Sequence, residues 1–167
     1  MIYAYACEGL YGLGCNPYSK KDVELLCSLK RRSIKKGLIL VSGNFEHFRP
    51  FINHLSREEI KKLNSKWPGA FTWLVKANEN VPKWIRGDSS FVALRQSNHP
   101  SIKSLTEKFG GVITSTSANI SDEPAAKTSA EVKKIFGNKV KIIPGEIGKL
   151  EGPTPIRNLH SLEWVRK

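Results

Sequence analysis

The alternation of capped helical segments with short apolar runs is the feature that most restricts what this chain can fold into. Ser19 with Asp22 opens a helix whose apolar positions Val23, Leu26 and Leu29 recur at helical spacing, and Gly37 then precedes the strand-length run Leu38-Ile39-Leu40-Val41. Asn44 caps a short helix stopped near Pro50, and Ser56 with Glu59 makes a capping box for a second helix through Lys66. After a turn at Trp67-Pro68-Gly69 come strands over Phe71 to Val75 and Phe91 to Arg95, then a helix from Ser101 to Phe109 ended by Gly110. Val112-Ile113 reads as a buried strand, Thr128 and Glu131 cap a helix through Phe136, and strands follow at Lys141 to Ile143 and around Ile156 and Trp164. Near the start, Tyr3-Ala4-Tyr5 reads as the end of a strand that opens into a glycine-rich turn, Gly9 to Gly14. Elements interleaved in this way predict an α/β fold with one twisted, mixed sheet. The 167 residues suit one domain with a full core, and no internal repeat, low-complexity tract or linker divides them.

The segment Ser115-Thr116-Ser117-Ala118-Asn119 concentrates small hydrogen-bonding residues where the strand around Val112-Ile113 ends. In open α/β sheets that edge is where ligands bind. Hydroxyls and a carboxamide without charge suit a polyanionic or zwitterionic ligand if cations arrive from elsewhere, and Lys30-Arg31-Arg32 supplies them. Lys and Arg number 27 against 15 Asp and Glu, a net charge of +12 spread through the body of the chain, which attracts nucleic acid or phosphorylated ligands. Cys7, Cys15 and Cys27 have none of the close spacings of a metal site or redox pair and read as reduced thiols; the four histidines are scattered singly, so no metal site is expected. With no apolar run long enough to span a bilayer and no signal-peptide pattern, the expectation is a soluble, cytoplasmic protein with no membrane partner.

Taken in order, Glu8 with Tyr11-Gly12-Leu13-Gly14-Cys15, Leu29-Lys30-Arg31-Arg32 followed by Lys36-Gly37-Leu38-Ile39, Trp67-Pro68-Gly69, Ala93-Leu94-Arg95 before His99-Pro100, Ser115 to Asn119, and Pro144-Gly145-Glu146 span nearly the whole chain. The pattern resembles the YrdC-like threonylcarbamoyl-AMP synthases of the single-domain bacterial type. The most specific part is the Lys-x-Arg pair combined with Ser-x-Asn, here Lys30, Arg32, Ser117 and Asn119. The resemblance implies a twisted, mixed open sheet around a deep, basic, concave groove, with residues 1–167 forming one YrdC-like domain that lacks the family's usual amino-terminal helix. It implies a nucleotidyltransferase that condenses L-threonine, bicarbonate and ATP into threonylcarbamoyl-adenylate with release of pyrophosphate. Downstream proteins then use that product to modify tRNA, and RNA is a further implied partner.

The chemistry fits these residue types. Threonine's amine and bicarbonate-derived carbon dioxide give a carbamate, itself an anionic nucleophile toward the α-phosphorus of ATP. Such a reaction needs alignment of mutually repelling anions and stabilisation of the charge growing on pyrophosphate, rather than a covalent intermediate. The resemblance makes Lys30, Arg32, Ser117 and Asn119 the catalytic set, with Lys30, Arg32, Asn119 and Arg166 toward the nucleotide and Arg95, Ser117 and Thr154 toward threonine. Mg²⁺ is expected to travel with ATP, held by phosphates and water. Each residue also has a plainer reading: Lys30 and Arg32 complement a helix dipole, Ser117 and Asn119 build a turn, and Arg95 decorates a strand.

One local departure stands out: Ala6-Cys7 replaces the Pro-Thr that family members carry before the glutamate matching Glu8. A rigid proline and a hydroxyl give way to a weak thiol donor. The principal alternative from another class is a non-catalytic RNA-binding module of the same fold, which needs charge but no particular amide or hydroxyl. Another nucleotide-dependent acyl or carbamoyl transferase is the second, and specificity for threonine separates it.

Overall fold

Capping side chains begin the helices. In the computed structural model, which describes residues 1–167, Ser19 Oγ accepts from the Asp22 amide at the start of α1 (Lys20–Leu29). Reciprocal capping boxes, Ser56 with Glu59 and Thr128 with Glu131, start α2 (Arg57–Asn64) and α5 (Ser129–Phe136). A single turn, α3 (Lys83–Arg86), had no signal in the sequence. His99 caps α4 (Pro100–Phe109), and Gly110 ends it at φ 75°, a left-handed conformation that favours glycine. The segment capped by Asn44 is a 3-10 helix, Phe45–Phe51, that runs through Pro50 rather than stopping before it.

The strands are β1 (Tyr3–Ala6), β2 (Tyr11–Gly14), β3 (Ile39–Ser42), β4 (Thr72–Lys76), β5 (Phe91–Gln96), β6 (Ile113–Ser117), β7 (Lys141–Ile142), β8 (Ile156–Asn158) and β9 (Trp164–Arg166). They form one mixed sheet in the order β7-β1-β2-β6-β3-β5-β4-β8-β9. The expected glycine-rich turn is thereby corrected: Tyr11–Gly14 is a strand, antiparallel to β1 on one side and β6 on the other. Its glycines serve close packing instead of turning. A Cβ on Gly12 would stand 2.9 Å from Cys7 Sγ, and one on Gly14 would run into the Thr114 carbonyl.

Register assigns the two faces, because directly paired residues project to the same side. Thr114, Leu40, Leu94 and Trp73 lie in one cross-strand row, and the three apolar members join the main core with Leu13, Val23 and Leu26 of α1, and Phe48. On the opposite face Val41 pairs with both Ile113 and Arg95, and α4 covers part of it: Ile102 and Leu105 pack with Tyr5, Val41 and Ile113. Beyond α4, the short α3 brings Ile85 and Arg86 to the border of that face. No helix is long and apolar enough to cross a membrane.

Candidate active site

The part of the sheet face that α4 leaves open is the floor of a cavity of about 390 Å³. Ser115, Ile39, Ala93 and Leu74 form one row across β6, β3, β5 and β4; Gly12 opposite Ser117, and Ile156 opposite Arg166, extend it on either side. The site therefore lies across strands, where the polar cluster had suggested the edge beyond one strand's carboxyl end. β6 runs through Ser117, so Ser115 and Ser117, two residues apart, point to the same side.

Loops close the rim. The turn after β1 brings in Cys7, Glu8 and Gly9, and the segment before β8 crosses over it with Leu150, Gly152 and Thr154 at the cavity wall. Two backbone bonds, Gly148 N–H to Cys7 C=O at 2.9 Å and Leu150 N–H to Glu8 C=O at 2.8 Å, tie the segments together. Gly9 is required here, since a Cβ would overlap the Leu150 carbonyl. The Tyr11 hydroxyl donates to the Gly145 carbonyl at 3.0 Å and holds the other end of the crossing segment.

Of the residues singled out in the sequence, Arg32, Arg95, Ser117, Thr154 and Arg166 line this cavity. Lys30 and Asn119 stand behind it. Lys30, 2% exposed at the C-cap of α1, donates to the Ser117 carbonyl, to the Asn119 carbonyl at 2.8 Å and to Asn119 Oδ1 at 2.9 Å. Ser117 Oγ donates to the same Oδ1 at 2.7 Å, and Asn119 Nδ2 donates to the Glu123 carbonyl at 2.7 Å. The Lys-x-Arg and Ser-x-Asn residues thus meet, with lysine acting as a bracket around the exit of β6. Burial, and after it the charge of Arg32, pushes the Lys30 ammonium down to about 8.

Arg32 donates from NH2 to the Gly37 carbonyl at 3.0 Å, which anchors it at the foot of β3. Arg166 donates from Nε (2.9 Å) and NH2 (2.5 Å) to the Thr154 carbonyl, and the Thr154 hydroxyl pairs with that of Thr72 at 3.0 Å. Burial first, then the positive charges of Arg95 and Arg32, holds the Arg166 pKa below the usual arginine value. Three guanidiniums thus share one field, and an anion between them relieves their repulsion. The buried Nε atoms of Arg32 and Arg95 have no protein acceptor.

Arg95 is held from below: NH1 meets Glu8 Oε2 at 2.8 Å, and NH2 points at Cys7 Sγ at 3.9 Å. Burial works against its charge, but Cys7, which is a thiolate only at the strongly alkaline pH where arginine titrates, and the Glu8 carboxylate more than offset this and raise its pKa. Cys7 is buried, 3.8 Å from the Tyr5 carbonyl, and burial pushes its thiol up to about 11, so it stands as a neutral thiol. Glu8 and Lys36 stand in the sequence only as parts of the family pattern, without a role of their own, and Arg86 carries no signal there; all three line the cavity. Their places follow from contacts between remote segments, for which a single sequence carries no local signal. No group of three or more His, Cys, Asp or Glu side chains is placed to hold a metal ion.

Comparison with known proteins gives the geometry a context. The family model for the Sua5/YciO/YrdC domain, described as telomere recombination, matches residues 1–167. A Buchnera aphidicola protein named threonylcarbamoyl-AMP synthase is 42% identical over 167 residues, covering 99% of this chain and 95% of that relative. A double variant of P. abyssi Sua5 superposes with a TM-score of 0.90 at 27% identity, covering 99% of this chain and 51% of that one. P. abyssi Sua5 complexed with L-threonine superposes with a TM-score of 0.87, also at 27% identity, covering 94% and 46%. The chain thus spans about half the length of those solved structures but nearly all of the Buchnera relative. With the family model matching from the first residue to the last, the chain belongs to the Sua5/YciO/YrdC family.

Proposed function

We propose that this chain is an L-threonylcarbamoyladenylate synthase, a nucleotidyltransferase that joins L-threonine, bicarbonate and ATP and releases pyrophosphate. The observation that carries the reading is a cavity in which Arg32, Lys36, Arg86, Arg95 and Arg166 surround neutral hydroxyls of β6, in a chain 42% identical to a relative of that name. Arg32 and Arg166 face the triphosphate and take up the charge that grows on pyrophosphate. Ser117 and Thr154 hold threonine or its carbamate, and Arg95 its carboxylate. Lys30 and Asn119 keep Ser117 in place and present a cation behind it.

Bicarbonate takes up a proton and loses water to give carbon dioxide; threonine's amine loses a proton and adds to that carbon, forming the N–C bond of the carbamate. A carbamate oxygen then attacks the α-phosphorus, and the bond to the β-phosphate breaks with its electron pair leaving on pyrophosphate. The protein's part is alignment and electrostatic stabilisation, worth several kcal/mol when donors are fixed in advance. Mg²⁺ arrives on the ATP phosphates. The product is a mixed anhydride suited to acyl transfer onto an amine, consistent with use by proteins that modify tRNA. The +12 charge supports contact with RNA phosphates, which predicts tRNA binding that weakens steeply with salt.

Incubation with ATP, bicarbonate and each amino acid in turn, with mass detection of the adenylate, tests the reading. A threonylcarbamoyl-adenylate peak only with threonine supports it. No adenylate from folded protein that still binds tRNA favours the RNA-binding module.

A further inference from the structure

We infer that Glu8 binds the α-ammonium of the amino-acid substrate, an assignment that rests on the proposed synthesis from threonine. Glu8 is the single acidic side chain lining the cavity, against the five cations Arg32, Lys36, Arg86, Arg95 and Arg166. ATP, bicarbonate and pyrophosphate are anions, and a fixed carboxylate repels all of them. Apart from the Mg²⁺ carried on the ATP phosphates, for which no cluster of carboxylates is placed, the α-ammonium of the amino acid is the one cationic group among the reactants, and a carboxylate here is complementary to it.

The geometry prepares Glu8 for that role. Its side chain is 14% exposed and held at both oxygens, with Oε2 accepting from Arg95 NH1 at 2.8 Å and Oε1 from Ser97 Oγ at 2.5 Å. An ionised carboxylate has about four acceptor sites, so roughly two remain for an ammonium. The backbone of Glu8 is pinned by Leu150, and Ser97 and Arg95 come from the end of β5, so the carboxylate has little freedom to move. Glu8 and Arg95 thus present opposite charges side by side, matching the ammonium and carboxylate that sit on one carbon of a zwitterionic amino acid. Fixing that nitrogen fixes the atom to which carbon dioxide must add.

The alternative is that Glu8 serves only to position Arg95. The two differ in what loss of the negative charge does to a ligand without an amine. Calorimetric titration of wild-type and Glu8→Gln protein with L-threonine, and with 3-hydroxybutanoate of the same C3 configuration, distinguishes them. We expect Glu8→Gln to weaken threonine binding tenfold or more while 3-hydroxybutanoate binds as well or better, because Arg95 is no longer neutralised. ATP affinity, measured alongside, should not weaken. Equal weakening of both small ligands, or unchanged threonine affinity, overturns the assignment. If the glutamine variant does not fold, Glu8→Asp keeps the charge but withdraws it by one methylene; threonine should weaken severalfold and 3-hydroxybutanoate should not. Wild-type protein that binds ATP but no threonine would overturn the synthase reading and this assignment together, an outcome visible before any variant is made.

Discussion

Lys30 Nζ stands 2.9 Å from Asn119 Oδ1 and joins the end of α1 to the exit of β6. Because the same ammonium reaches the carbonyls of Ser117 and Asn119, its removal strands three acceptors in a buried place. Hydrogen bonds to charged groups are worth about 1.5–3 kcal/mol, so Lys30→Met should lower the melting temperature by roughly 3–12 °C for a chain of this size. Turnover should fall on the order of a hundredfold because Ser117 loses its support. Calorimetry and a pyrophosphate assay check both, and a variant with normal stability and normal turnover contradicts the bracket.

The same lysine gives the protein a pH dependence with opposite signs for activity and stability. Its ammonium is held down to about 8 in the folded chain, chiefly by burial, against about 10.5 when unfolded. Between these values the unfolded chain binds a proton that the folded chain has released, so this group adds stability as pH rises from about 8 to about 10.5. Below about 8 both states are protonated and the burial of the charge weighs against folding in full. Activity runs the other way, since the charged bracket is lost as pH rises through about 8. Lys30→Arg, which stays charged, should move the alkaline limb of kcat/KM upward; an unmoved limb would assign it to another group.

Arg32 and Arg166 lie among like charges, and an anion should stabilise the protein through them. ATP at 100 times its dissociation constant adds about 2.7 kcal/mol to folding stability. Arg32→Ala or Arg166→Ala should lose most of that ATP-dependent rise in melting temperature and roughly a hundredfold in kcat/KM. A full ATP shift in both variants would place the triphosphate elsewhere.

Gly9 sets the height of the crossing segment, because a Cβ there would overlap the Leu150 carbonyl. Gly9→Ala should push that segment off the turn, break the bonds from Gly148 and Leu150, and cost about 1–3 kcal/mol. Faster proteolysis around Lys149, with a raised KM for both substrates, is the expected signature. Unchanged cleavage and kinetics would mean that the segment absorbs the methyl without moving.

Local chemistry was legible in the sequence. The pairs Ser56 with Glu59 and Thr128 with Glu131 signal helix starts through contacts three residues apart, and both capping boxes form. The glycines of Tyr11–Gly14 misled because glycine marks close approach as well as turning, and only the Thr114 carbonyl and Cys7 thiol beside them show which applies. The same limit governs the site. Lys30 and Arg32 read as cations for an anionic ligand or as complements to a helix dipole, yet the ammonium turns inward to Ser117 and Asn119, and the pairing of Arg95 with Glu8 joins segments far apart in the chain. Register across β6, β3, β5 and β4 builds the floor, and no single segment encodes it.

Pyrophosphate release from ATP, measured with L-threonine and bicarbonate each present or withheld, tests the proposed synthesis most directly. Release that requires both, and that serine or alanine supports far less well than threonine, is the predicted result. Release that ignores threonine, or none from folded protein that binds ATP, would contradict it.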